Sequence, residues 1–73
     1  MARVLHLVKG ADALPLAVIA RERAAGDDVR VAVLPGGAVP PVPEGVPVQR
    51  VPADLGYDAL LEAIFGADRV LAW

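Results

Sequence analysis

The chain has no cysteine, and it has no serine, threonine or asparagine either. The first absence excludes disulfides, zinc–thiolate centres and thiol chemistry. The others remove the hydroxyl nucleophiles on which most covalent hydrolases depend. His6, Lys9 and Tyr57, each the sole residue of its type, remain beside the carboxylates and arginines. That inventory does not make a self-contained enzyme, and it implies no cofactor and no metal site. A basic excess is missing too, since 7 Lys+Arg stand against 9 Asp+Glu for a net charge of −2. Surfaces that neutralise phosphates normally show such an excess, so no direct nucleic-acid partner is expected. Arg21, Arg23 and Arg30 are interspersed with Glu22, Asp27 and Asp28, which reads as a solvated helix end. No apolar run approaches the roughly 18 residues of a membrane span, and no signal-peptide pattern opens the chain. Cytoplasmic residence is the expectation.

What is present is 56% apolar residue content over 73 residues. That length makes one domain, 1–73, able to bury only roughly 60% of its unfolded surface. Arg3–Val8 is a strand apolar on both faces apart from His6, as the middle of a covered parallel sheet requires. Lys9-Gly10 ends it. Asp12 stands as an N-cap, Pro15 falls in the first helical turn, and Leu16, Ala17, Ile19, Ala20 and Ala24 form a helical stripe ended by Gly26. Val29–Leu34 is a second strand, followed by a proline-rich stretch from Pro35 through Pro47 that cannot be helical. Val46–Val51 reads as a third strand with Pro47 near its entry. Tyr57–Phe65 is a second helix with Leu60, Leu61, Ile64 and Phe65 as its stripe, closed by Gly66. Asp58 and Glu62 lie on its wet side, and Arg69–Trp73 is a last short strand.

The order β-α-β-β-α-β predicts an α/β fold with a small parallel four-stranded sheet and right-handed crossovers, Rossmann-like in kind. Eleven residues, Pro35–Gly45, reach roughly 34 Å as polyproline at ~3.1 Å each, enough to return and pass one strand. The expected strand order is therefore 2-1-3-4, with one helix on each face. Two helices leave about half of each face without cover, with Val31, Val33, Val48 and Val70 short of packing partners. Exposed apolar sheet of that extent marks an interface, so self-association or assembly with other subunits is expected.

Few residues offer chemistry. His6, in mid-strand among valines and leucines, reads as a hydrogen-bonded core or interface residue rather than a general base. Lys9-Gly10 and Gly36-Gly37 follow strands, where parallel α/β sheets place ligands, and a small-anion site there is the functional reading. Plain turns are the competing one, because neither segment forms a nucleotide-binding loop. Asp27-Asp28 is turn chemistry. Pro40 and Pro43 satisfy a PxxP spacing, though a connector explains the prolines better. Trp73, the only tryptophan, either caps the core or anchors a neighbouring subunit, with the second favoured.

Three segments carry a resemblance. They are VLHLV (Val4–Val8), GDDVRVAVLPGGA (Gly26–Ala38) and VPADLGYDALLEAIFGADRVLAW (Val51–Trp73), the last with its acidic turn, short helix, Arg-led strand and final Trp. In this order they resemble the DsrH/TusB family, the smallest branch of the DsrE-like sulfur-relay proteins. The resemblance implies a DsrE-like α/β fold. It also implies a subunit that works beside DsrE- and DsrF-like (TusC- and TusD-like) partners, which pass persulfide sulfur between cysteines towards 2-thiouridine in tRNA or into sulfur metabolism. Without cysteine this chain cannot carry sulfur itself, so the implied role is that of a non-catalytic subunit or scaffold, with His6 and Trp73 as structural or interface positions. A small-anion-binding module built on Lys9, Gly10, Gly36 and Gly37, and an orphan homo-oligomer without a sulfur role, are the alternatives.

Overall fold

The computed structural model describes residues 2–9, 13–39 and 41–73. Gly10, the proposed cap Asp12 and Pro40 of the PxxP spacing lie outside the described residues. The elements are β1 (Arg3–Val8), α1 (Ala13–Ala24), β2 (Asp28–Val33), β3 (Val48–Arg50), α2 (Tyr57–Gly66) and β4 (Arg69–Ala72). All four strands are parallel in one sheet, and the fold is a small α/β unit as the alternation of elements requires.

The strand order is β3-β2-β1-β4, not the expected 2-1-3-4. Both orders obey right-handed crossover and both place the helices on opposite faces, so handedness does not choose between them. The connector does. Its Val46 is buried and its Val42 packs beside it, both against Val8, Ile19, Val29, Val31 and Val33 on the α1 side of the sheet. The proline-rich segment thus stands in for a crossover helix on the same face as α1 and carries the chain one strand further out. Then α2 crosses the other face and returns the chain past β2 and β1 to the far edge.

That layout also corrects the expectation that Val31, Val33 and Val48 lack cover. Val31 and Val33 are fully buried, and Val48 packs against the same cluster. On the opposite face Leu5, Ala32 and Val51 meet Leu60, with Leu7, Leu55, Ala63, Ile64 and Ala67 around them. Val70, at the β4 edge, does remain exposed.

Both helices turn differently from their expected stripes. In α1 the inward residues are Pro15, Ile19 and Glu22, while Ala17, Ala20 and Ala24 face water. In α2 Leu60 is buried, but Leu61 and Phe65 are exposed. Helix α1 ends in a Schellman motif: Gly26, at φ +88°, donates to the Arg23 carbonyl (3.1 Å), and Asp27 donates to that of Glu22 (3.1 Å). Gly66 is the last residue of α2 and has no positive φ, and the chain leaves through extended Ala67. Strand β3 is shorter than its apolar pattern, because Pro47 cannot donate to the ladder and a turn begins at Val51.

Candidate functional site

The parallel register sets Leu71 of β4 beside His6 of β1, and His6 in turn beside Val31 of β2. Alternation then puts Val4, His6, Val8, Arg69, Leu71 and Trp73 on the face that α1 covers. Along α1, Pro15, Ile19 and Glu22 follow the i, i+4, i+7 spacing of one helical stripe, so Glu22 descends onto this face at the last turn. The Schellman bond to the Glu22 carbonyl fixes the backbone at that point.

His6 is fully buried (0% exposed) and Glu22 nearly so (7%). His6 Nε2 lies 2.5 Å from Glu22 Oε1. On the other side of the ring, Trp73 donates its indole N–H to His6 Nδ1 at 2.9 Å. The two rings are 13° from parallel with centroids 6.1 Å apart. With a hydrogen bond joining their edges, they form a nearly coplanar pair. Indole nitrogen can only donate, so His6 Nδ1 must present a lone pair, and the ring proton therefore sits on Nε2, pointing at the Glu22 carboxylate. Arg69 closes the far end, with its guanidinium 3.4 Å from Glu22 Oε2 and 3.7 Å from Asp27 Oδ2. Asp27 also accepts from the Ala2 N–H at 3.1 Å. A chain of polar groups thus runs Trp73–His6–Glu22–Arg69–Asp27, and among the described residues no buried side-chain nitrogen or oxygen is left without a partner.

This arrangement corrects the reading of Glu22 as part of a solvated helix end, because it is the buried acceptor of the cluster. It also commits both nitrogens of the buried imidazole to protein groups, so in this geometry the ring has neither lone pair nor proton to offer a substrate. Glu22 and Arg69 were missed in the sequence. The available signal was the inward spacing Pro15–Ile19–Glu22, which sets a carboxylate opposite a strand whose only polar inward residue is histidine.

The strand-end residues form a second locus. Leu34, Pro35, Gly36 and Gly37 make a turn closed by the Gly37 N–H donating to the Leu34 carbonyl at 2.9 Å, with proline second and Gly36 (φ +83°) third, as a type II turn demands. Gly37 lies against the end of β1, where an added Cβ would stand 2.7 Å from the Lys9 carbonyl oxygen and 3.0 Å from that of Leu34. The structure therefore brings Lys9 and Gly37 together through their backbones, and Gly37 is glycine because two carbonyls crowd it. The Lys9 side chain is exposed. Among the described residues no group of three or more His, Cys, Asp or Glu could hold a metal ion, and no helix is long and apolar enough to cross a membrane.

A third feature is apolar. Tyr57, Leu61 and Phe65 recur every four residues along one side of α2, and all are exposed, Leu61 at 52% and Phe65 at 84%. Val70 of the edge strand, in register with Leu5, shares the sheet face on which α2 lies.

Comparison of the chain with protein families, with curated proteins and with solved structures finds no match.

Proposed function

We propose that the chain is a non-catalytic subunit that works by being held in an assembly, and that the assembly is a cytoplasmic sulfur-relay complex of the DsrH/TusB kind. The observation that carries the first half is the exposed ridge Tyr57–Leu61–Phe65, together with Val70 exposed on the sheet face on which α2 lies. A chain of this size with so much unsheathed apolar surface gains from a partner, at about 25 cal/mol for each Å² of apolar area covered. The commitment of the only imidazole to Glu22 and Trp73 agrees with a structural role for His6. The sulfur-relay half rests on the three resembling segments, whose His6 and Trp73 meet in a single hydrogen bond. In such a complex the persulfide would travel on cysteines of the DsrE- and DsrF-like partners, and this chain would hold their arrangement.

The test is co-expression with DsrE- and DsrF-like proteins of the sulfur-relay set, followed by affinity purification and light scattering. A stable stoichiometric complex that is lost in Leu61→Glu/Phe65→Glu is the expected result. A chain that sediments as a monomer at micromolar concentration and binds neither protein would overturn the reading.

A further inference from the structure

On the other side of α2 from Leu61 and Phe65 there is a cleft of about 410 Å³ between the helix and the sheet. Its volume falls in the range of roughly 300–1,000 Å³ typical of small-molecule sites. Leu5 and Ala32 form its floor. Ala59, Ala63 and Gly66 form the helix wall, and none is large enough to fill the space. The cationic groups come from the strands. Leu5 pairs with Arg30 and Ala32 with Gln49, so alternation puts Arg3, Arg30 and Gln49 on this same face, stepping diagonally across β1, β2 and β3. Arg3 and Arg30 are offset by two residues along the strand and one strand across, about 8 Å between Cα atoms at normal sheet spacings. Two arginine side chains rooted at that separation can meet on one anion.

Neither guanidinium is strongly engaged elsewhere. Arg30 lies 3.9 Å from Asp28 Oδ2 with both side chains well exposed, and among the described residues the Arg3 side chain makes no hydrogen bond or ion pair. Glu62 is the one carboxylate on the cleft, and it lies on the helix side. The cleft therefore combines an apolar floor and wall with two cations on its sheet side.

We propose that this cleft binds a small amphiphilic anion, with a carboxylate or phosphate head on Arg3 and Arg30 and a hydrocarbon body along Ala59, Ala63 and Gly66. Arginine suits this head because its planar fork matches an oxyanion with two parallel N–H donors. The site does not depend on the assembly proposed above, since it occupies the opposite side of α2 from the exposed ridge.

The experiment is an amide NMR titration of the full chain with octanoate, octyl phosphate, octan-1-ol and acetate in parallel. Saturable shifts at Ala32, Ala63 and Gly66 are expected with the two amphiphilic anions. Acetate and octan-1-ol should bind at least about tenfold more weakly, because each lacks one half of the recognition. Arg30→Gln should weaken octanoate by a similar factor. Ala59→Leu, which fills the cleft from an exposed helical position, should abolish the shifts while leaving the thermal transition in place. A preference between octanoate and octyl phosphate assigns the head group. Equal binding of octanol and octanoate, shifts centred on Leu61 and Phe65 instead, or no saturable shifts, would each overturn the proposal.

Discussion

Trp73 donates its indole N–H to Nδ1 of His6, joining residues 67 positions apart in the chain. The bond has a direction that the chemistry of indole imposes, and the direction propagates. It places the imidazole proton on Nε2, and that proton satisfies a carboxylate buried under α1. One tryptophan thereby sets the tautomer of a histidine and the direction of its hydrogen bond to Glu22.

The histidine tautomer is the most direct check. Long-range nitrogen–proton correlation spectra of the folded protein should show His6 as the neutral Nε2–H form. In Trp73→Phe the Nδ1 acceptor loses its donor, at about 1 kcal/mol in urea-derived stability. A spectrum showing the Nδ1–H tautomer in the parent protein would contradict the hydrogen bond as drawn.

Removing one buried partner should cost more than removing two. His6→Leu leaves the Glu22 carboxylate beneath α1 with only the half-exposed Arg69 nearby, so a loss of about 3 kcal/mol or more is expected from chemical denaturation. For a domain whose total stability is on the order of 5 kcal/mol, that approaches global unfolding. The double variant His6→Leu/Glu22→Leu exchanges the polar pair for an apolar one and should recover much of the loss. If the double variant is as unstable as the sum of the two single ones, the pair is not coupled in the way described.

Two glycines should respond in opposite senses. Gly37→Ala drives a Cβ to 2.7 Å from the Lys9 carbonyl oxygen, a backbone atom that can yield only by moving β1 or the turn. A destabilisation of about 1–3 kcal/mol is expected. At Gly66, the last residue of α2, an added Cβ meets nothing within 4 Å. Gly66→Ala should be neutral or stabilising by up to about 1 kcal/mol, through helix propensity. Thermal melts of the two variants side by side decide it.

Much of the fold could be read from residue patterns, and the failures share a cause. The strands and helices follow from local signals, such as the two-sided apolar run Arg3–Val8, the terminating Gly26, and the prolines that forbid a helix after β2. Local signals do not say which sheet face a flexible connector will lie on. The reach of Pro35–Gly45 allowed both orders, and only the seating of Val42 and Val46 beside Ile19 chose one. The stripe of α2 was misread for a similar reason. Leu60, Leu61, Ile64 and Phe65 span a wide arc, whereas one helix lying on a sheet buries a narrow one, and Leu61 and Phe65 fall outside it. At the His6 cluster the histidine and the tryptophan were singled out but not their meeting, which depends on β4 pairing with β1. Glu22 was hidden because acidic residues beside arginines normally face water.

The placement of β1 between β2 and β4 carries a consequence for how the chain is made. One flank of β1 pairs with β2 through a local β-α-β unit, while its other flank pairs with β4, some sixty residues further along the chain. Until β4 has been made, the Glu22–His6 pair lacks both Trp73 and Arg69, so the local unit can form before its buried polar pair is complete.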